Sequence, residues 1–210
     1  LVTNLGFSEK ASLFFKGDSN KDIETHFEVA LKRLDSLIVA QMKDYSVQDD
    51  GVVTFGGFNY VYTEITCAQN DMNKELEKAY PRLKNFLKSQ NAKVSGSTFH
   101  IYKVWDEVNK TTTFTACMPT NDTISIAPES NILKTLFPKG LYHKTTLKGD
   151  YANLFEAWTK SDTAVSKLQH KEDASKYPLE VYAVGPENSE NPALWVTYIL
   201  KPLKPSDTIN

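Results

Sequence analysis

The chain has little of what marks metal, nucleotide and membrane proteins. Among 210 residues it has two cysteines, Cys67 and Cys117, and four scattered histidines with no HxxxH or HxH pair. That set is too sparse for the usual zinc-ligand spacings. The sequence has no glycine-rich phosphate loop, and no apolar run approaches the 18 residues of a membrane-spanning helix. We therefore predict no metal and no cofactor.

The charge balance lacks the basic excess of a nucleic-acid-binding surface. Lysine and arginine total 24, aspartate and glutamate total 26, and the net charge is −2. We predict no direct nucleic-acid binding. With 40% hydrophobic residues, the chain can bury a core. It reads as a soluble domain, cytoplasmic by default. Because it does not begin with Met, a cleaved signal, a membrane anchor or another domain upstream of Leu1 stays open.

The most informative feature that is present is an internal repeat. Residues 71–119 and 150–202 share one order of parts. Each begins with an acid that would start a helix, Asp71 or Asp150, and each reaches an aromatic strand containing Tyr102 or Tyr182. A duplicated β-α-β-β unit predicts an α+β domain with pseudo-twofold symmetry, in which an antiparallel sheet carries two main helices on one face.

The pattern also divides the chain. Residues 1–50 are predicted to be an N-terminal helical extension, with apolar residues at helical spacing over 21–43. Residues 51–205 are predicted to form the ligand domain, with repeat one at about 52–120 and repeat two at about 140–203.

Glycine and proline positions add three local predictions. Gly56 and Gly57 predict a bulge or tight bend inside one strand from Val52 to Thr66. Pro81 predicts a kink or break in the first helix. The proline-rich stretch at residues 201–205 predicts an exposed tail. Both cysteines are expected in strands as small buried residues, with their redox state left open.

Short motifs of the second repeat resemble the GyrI-like small-molecule-binding domains, which are the effector-binding domains of AraC- and MerR-type bacterial regulators. The resemblance covers about residues 58–203 and rests on the order and spacing of six elements. These are Gly140-Leu141-Tyr142, Gly149-Asp150-Tyr151, Leu154 to Trp158, Glu180-Val181-Tyr182, Pro186 to Pro192, and Thr197 to Pro202.

The resemblance implies two β-α-β-β units around a pseudo-twofold axis, with a cleft between the two helices above the sheet. Because no DNA-binding region precedes the domain in this sequence, we expect either a stand-alone form or a module cut from a longer chain. A subset of the family resembles hydrolases that open strained cyclopropane rings with a buried glutamate.

Glu180 is the main candidate for the site. It lies between Leu179 and Val181 in a short strand, so its side chain faces away from theirs. In the family pattern, the glutamate of Glu-x-Tyr is the acid of the cleft. A carboxylate in an aromatic pocket attracts cations and hydrogen-bond donors. The alternative is a solvent-facing glutamate on a half-exposed sheet. His100 occupies the equivalent position in the first repeat.

Aromatic residues in the predicted strands are the other candidates for lining the cleft, because such walls suit flat or cationic organic ligands. The ligand-binding set is Glu180, Tyr142, Trp195, Tyr182, Tyr102, Tyr60 and Tyr62. Trp158 lies on the apolar stripe of its helix and is expected in the core. Glu64 is a second candidate acid, for which exposure is the favoured expectation.

We expect a module that binds a small apolar or cationic organic molecule, for sensing or sequestration, rather than an enzyme. One alternative is a hydrolase in the same cleft, with Glu180 as general base. A second alternative is a module that binds a protein partner. The natural ligand and the oligomeric state stay open.

Overall fold

The computed structural model describes residues 28–32 and 43–205. The chain divides into two compact units, residues 1–40 and 41–210. In the first, residues 28–32 are helical. Apart from Lys43, the rest of the helix predicted over 21–43 lies outside the described residues.

The second unit contains one antiparallel sheet and two main helices, as predicted. The strand order is β1-β6-β8-β7-β3-β4-β2-β5, and every pair is antiparallel. The elements are β1 (Ser46–Phe55), β2 (Phe58–Ala68), α1 (Met72–Ser89), β3 (Thr98–Asp106), β4 (Thr111–Pro119), β5 (Leu133–Phe137), β6 (Gly140–Lys148), α2 (Leu154–Ser166), β7 (Leu179–Val184) and β8 (Val196–Leu203).

Each repeat is longer than predicted, because a further strand precedes the β-α-β-β unit. Repeat one is β1-β2-α1-β3-β4 and repeat two is β5-β6-α2-β7-β8. The added strands are exchanged: β1 pairs with β6 of repeat two, and β5 pairs with β2 of repeat one. The sheet order is therefore related to itself by a twofold axis between the central strands β3 and β7.

The exchange of strands depends on the bend at Gly56 and Gly57. Of the two predicted alternatives, a bulge or a tight bend, the structure has the bend. It does not lie inside one strand but separates two strands that pair with different neighbours. Gly56 has φ of +103°, and a Cβ there would lie 2.3 Å from the carbonyl oxygen of Pro138. The N–H of Gly57 donates to Phe137 O at 2.8 Å. The irregularity that exists in β1 is a register shift between Asp49 and Gly51.

The sheet curves until its two edges meet over aromatic side chains. The ring centroid of Phe55, at one edge, lies 5.5 Å from that of Phe58 and 5.5 Å from that of Phe137, at the other edge. We call the buried residues on this side the concave aromatic cluster. Its members are Tyr60, Phe99, Cys117, Phe137, Tyr142, Leu179, Val181 and Leu200. The curvature buries these residues without a helix from the described domain covering them.

The two helices pack on the opposite face and leave its centre to the site. α1 packs mainly on β2 and β4, whereas α2 packs mainly on β1, β6 and β8. The central strands β3 and β7 therefore lie between the two helices. Pro81 lies inside α1 without dividing it, which corrects the predicted break. Its ring is on the exposed side of the helix, where the unpaired carbonyl one turn earlier can be hydrated.

The end of the domain also differs from the prediction. Lys201, Pro202 and Leu203 belong to β8, where they pair with β6, and they are buried rather than forming an exposed tail. Lys201 contributes two ion pairs, to Asp162 of α2 and to Glu172.

Both cysteines are free thiols, with Cys117 buried and Cys67 half-buried. In the part of the chain that the structure describes, no helix is long and apolar enough to span a membrane.

Alanine substitutions at two glycines test the role of the bend. Gly51 has φ of +73° with open space where a Cβ would lie, so Gly51→Ala should cost only the backbone strain, about 1 kcal/mol. Gly56→Ala adds a clash with a backbone oxygen and should lower the unfolding free energy by at least about 3 kcal/mol. Urea denaturation measures both; equal losses would contradict the role assigned to Gly56.

Candidate functional site

The site lies where the two repeats meet. In the register of β3 and β7, His100 is directly opposite Glu180. The same two residues are equivalent in the aligned repeats, so the pseudo-twofold axis passes between them. One position of the repeat therefore carries a histidine in the first copy and a glutamate in the second. The two residues are opposite each other at the centre of the sheet.

Strand alternation places four polar and aromatic side chains on the helix face. His100, Tyr102, Glu180 and Tyr182 point between the helices, whereas their neighbours Phe99, Leu179 and Val181 enter the concave aromatic cluster. Glu180 is 1% exposed and His100 is 0% exposed. We call Glu180, His100, Tyr102, Tyr182 and Trp158 of α2 the Glu180 cluster.

Glu180 accepts hydrogen bonds from Trp158, Tyr102 and Tyr182, and it pairs with His100. Its Oε1 accepts from the Trp158 indole Nε1 at 2.5 Å and from the Tyr102 hydroxyl at 3.0 Å. Its Oε2 accepts from the Tyr182 hydroxyl at 2.7 Å and lies 3.1 Å from His100 Nε2. Two partners on each oxygen occupy the acceptor positions of a carboxylate.

These partners hold the buried carboxylate in its ionised form. Burial alone would raise the pKa of Glu180, but the positive charge of His100 and the hydrogen bonds from His100, Trp158 and Tyr182 lower it below its usual value. Burial and the adjacent charge of Glu180 raise the pKa values of Tyr102 and Tyr182 well above 10. Both hydroxyls therefore stay protonated donors.

Further rings extend the cluster toward the surface. Tyr151 packs edge-on against Tyr182, with ring centroids 5.4 Å apart, and lies 4.6 Å from the ring of Trp195. Trp195 donates its indole N–H to Ser189 O at 2.8 Å. A Cβ at Gly185 would lie 2.8 Å from the Tyr151 hydroxyl, so glycine there permits the close approach of this ring. Burial raises the pKa of Tyr151 to about 12.

α1 and β3 contribute the remaining aromatic neighbours. Tyr80 of α1 is near enough for the charge of Glu180 to raise its pKa, after the larger effect of burial. Its hydroxyl is buried without a hydrogen-bond partner of ordinary geometry, although Thr98 is close enough to influence its pKa. Trp105, half-exposed at the end of β3, lies 5.9 Å from Tyr102.

The structure separates the predicted ligand-binding residues into two groups. Glu180, Tyr102 and Tyr182 are together in the Glu180 cluster, and Trp195 reaches them only through Tyr151. Tyr60, Tyr62 and Tyr142 lie on the other face of the sheet, packed in or against the concave aromatic cluster. The structure therefore does not bring these three residues together with the other four. The alternation of side chains along a strand shows which residues share a face, but it does not show which face carries the helices.

Trp158 and His100 belong to the site, whereas Glu64 is exposed, as expected. Trp158, expected in the core, donates to Glu180. The sequence identifies His100 only as the repeat equivalent of Glu180, and this equivalence is the one sequence feature that points to its role. Glu64 pairs with Lys103, and both side chains are partly exposed. Among the described residues, no group of three histidine, cysteine or acidic side chains could hold a metal ion.

The arrangement suits binding better than catalysis by Glu180. A general base works best with a pKa near the operating pH and a free lone pair directed at the substrate. Here the pKa of Glu180 is lowered and both oxygens already accept hydrogen bonds. The carboxylate is instead a fixed negative charge surrounded by aromatic rings.

Comparison with known proteins places the fold and the sequence in one group. The family model of Cass2, the integron-associated effector binding protein, matches residues 52–198. The chain belongs to this family of effector-binding proteins. No curated protein matches the sequence.

Solved structures of low sequence identity share the fold. A cryo-EM structure of an EcmrR–DNA complex has a TM-score of 0.65 at 18% identity, covering 95% of this chain and 78% of that chain. The EcmrR C-terminal domain has the same TM-score and identity, covering 76% and 98%. SAV2435 bound to tetraphenylphosphonium has a TM-score of 0.51 at 13% identity, covering 76% and 93%.

The lowered pKa of Glu180 predicts how stability depends on pH. A carboxylate whose folded pKa lies below its unfolded value, about 4.3, contributes fully above that value. Its contribution is lost as the pH falls through the folded pKa. The difference in unfolding free energy between the wild type and Glu180→Gln should therefore shrink on acidification below about pH 4.

Denaturation at stepped pH measures this difference. Glu64→Gln makes the same change in net charge at a partly exposed residue and is the control. A difference for Glu180→Gln that stays constant, or grows, as the pH falls would contradict the lowered pKa.

Loss of one donor to the carboxylate can be tested with a pair of tryptophans. Trp158→Phe leaves Glu180 Oε1 with one partner fewer and should cost about 1.5–3 kcal/mol of unfolding free energy. Trp105 donates to Glu107, an exposed acid, so Trp105→Phe should cost less than about 0.5 kcal/mol. Urea denaturation compares the two, and similar losses would show that the Trp158 bond adds little.

Proposed function

We propose that this protein binds a small organic molecule, apolar or cationic, between α1 and α2 above the central strands β3 and β7. The observation that carries the proposal is the Glu180 cluster itself: a buried carboxylate, ringed by aromatic donors, at the seam between the two repeats. Duplicated domains commonly hold ligands at such a seam.

The surroundings of Glu180 favour a ligand with apolar surface. Tyr102, Tyr151, Trp158 and Tyr182 are each half-buried, so each ring still offers contact area to a ligand. Phe155 precedes Trp158 by three residues on α2 and is 84% exposed. Residues at that spacing are neighbours on a helix surface, so the Phe155 ring extends the aromatic surface outward.

The charge of the cluster favours a cation among such ligands. Aromatic faces attract cations through the ring quadrupole, by about 0.5 to 2 kcal/mol for each ring in contact. The carboxylate of Glu180 adds attraction that water screens little at a buried site, and His100, 3.1 Å away, offsets it while its ring is protonated. Both oxygens already accept hydrogen bonds, so a cation would be recognised through charge and ring contact rather than through a new hydrogen bond to the carboxylate.

Two of the structural relatives bear on this proposal. SAV2435 has the same fold and was solved with tetraphenylphosphonium, a cation with four aromatic rings. EcmrR carries the fold as its C-terminal domain and was solved on DNA. We extend the first feature to this chain as a ligand class. The chain's role is then a sensing or sequestering module.

A thermal-shift comparison at pH 8 tests the proposal. Tetraphenylphosphonium at 100 times its dissociation constant should stabilise the protein by about 2.7 kcal/mol, which raises Tm by about 5 to 10 °C for a chain of this size. Triphenylphosphine oxide, a neutral molecule with three of the same rings, should give a smaller shift. The difference between the two probes measures the contribution of charge.

Two variants locate the site. Glu180→Gln should remove the advantage of the cation over the neutral probe, and Glu64→Gln should leave it unchanged. A shift that is equal in wild type and Glu180→Gln would place binding elsewhere on the protein. Failure of both probes to shift Tm would contradict the proposed ligand class.

A further inference from the structure

Tyr60 and Tyr142 are the two copies of one position in the repeat, on the concave side of the sheet. Tyr60 is opposite Pro119 at the end of β4, and Tyr142 is opposite Pro202 in β8. The pseudo-twofold axis therefore relates the two tyrosines, on the face opposite to the Glu180 cluster. Both side chains are more than nine-tenths buried, with exposed fractions of 8% for Tyr60 and 2% for Tyr142.

The curvature of the sheet brings these two tyrosines and Tyr62 together. The ring centroids of Tyr60 and Tyr62 are 5.5 Å apart, and those of Tyr60 and Tyr142 each lie 6.1 Å from Phe137. Burial raises the pKa of Tyr60, and the charges of Cys117, Tyr62 and Tyr142 raise it further, so these groups are close to its hydroxyl. Burial also raises the pKa of Tyr142 to about 12. The hydroxyls of Tyr60 and Tyr142 are therefore protonated donors at neutral pH.

We call Tyr60, Tyr62 and Tyr142 the concave tyrosines. Within the part of the chain that the structure describes, their hydroxyls make no hydrogen bond. The tyrosine hydroxyls of the Glu180 cluster, by contrast, are bound to the carboxylate. Tyr62 is half-buried and marks where the groove meets solvent. A ligand acceptor that replaces water at such hydroxyls gains a hydrogen bond with apolar walls around it.

The ionised groups beside the groove occur in matched pairs. Lys103 and Asp173 each lie close enough to a concave tyrosine for the two charges to interact. The pairs are Lys103 with Glu64, Lys176 with Asp173 at 3.1 Å, and Lys144 with Asp50 at 3.5 Å. Since each lysine has its own acid, these groups carry no net charge and favour an uncharged ligand.

We propose that the concave tyrosines form a second ligand site, which takes an uncharged aromatic molecule with oxygen acceptors. Rings of the concave aromatic cluster contact the apolar surface of the ligand, and the hydroxyls of Tyr60 and Tyr142 donate hydrogen bonds to its oxygens. Apolar walls with a few convergent polar groups are the usual composition of small-molecule sites. Because the sheet separates this site from the Glu180 cluster, the inference is independent of the proposed function.

NMR of the protein with tyrosine labelled at the ring Cζ carbon tests the site. Coumarin, a fused bicycle with a lactone, is the probe, and naphthalene is the matched bicycle without oxygen. Coumarin should shift the signals of the concave tyrosines, leave those of Tyr102 and Tyr182 unchanged, and bind more tightly than naphthalene. A titration that leaves the concave tyrosines unshifted overturns the proposal.

Removal of single hydroxyls assigns the contacts. Tyr60→Phe and Tyr142→Phe should each raise the Kd of coumarin about three- to tenfold, the effect of one lost hydrogen bond, and should leave the Kd of naphthalene unchanged. Tyr45→Phe removes a hydroxyl that donates to Glu156 on α2, and this control should bind coumarin as the wild type does. A coumarin Kd at the wild-type value in both Tyr60→Phe and Tyr142→Phe would show that the hydroxyls do not hold the ligand and that the proposal is wrong.

Competition distinguishes the two sites. Saturating tetraphenylphosphonium should leave the Kd of coumarin unchanged, because the two ligands lie on opposite faces of the sheet, and Glu180→Gln should bind coumarin as the wild type does. Displacement of coumarin by the cation would assign both molecules to one site and overturn the second. If the cation does not bind at all, the proposed function fails, while the coumarin titration still decides the concave site.

Discussion

The packing at the centre of this domain depends on the buried, ionised carboxylate of Glu180. A charge buried to 1% exposure costs several kcal/mol unless donors surround it, and no single element of the fold supplies enough of them. His100 and Tyr102 come from the first repeat, Tyr182 from the second, and Trp158 from the helix of the second. The relative position of the two repeats and the seating of α2 are therefore tied to one side chain, and removal of any donor disturbs both.

Sequence patterns predicted the architecture better than they predicted the limits of its parts. The duplication and the α+β class follow from the order of elements, and the alternation around Glu180 correctly separates it from Leu179 and Val181. The exchanged strands β1 and β5 were not foreseen, because pairing between distant segments leaves no local signal. The proline-rich residues 201–205 are predicted to be an exposed tail because they lie near the chain end. The structure instead places Lys201 and Pro202 in β8, beyond the last residue that pairs with β7.

The sequence predicts only part of the candidate site. Period-two alternation puts Tyr60 and Tyr62 on one side of their strand and Tyr182 with Glu180 on one side of theirs. Which side faces the helices depends on the curvature of the whole sheet. Trp158 satisfies the helical apolar stripe and also donates a hydrogen bond, so the stripe alone could not reveal its second role. The role of His100 follows only from the register of β3 with β7, which places it opposite Glu180.

The exchange of β1 and β5 joins each repeat to the other. Among the described strands β1 pairs with β6 and β5 pairs with β2, so each repeat finds the neighbour of its leading strand in the other repeat. Because the two repeats are parts of one polypeptide, they can differ at the position on the axis, where one carries His100 and the other Glu180. An identical pair at that position, two acids or two histidines, is the only choice open to a symmetric dimer, and a single chain escapes it.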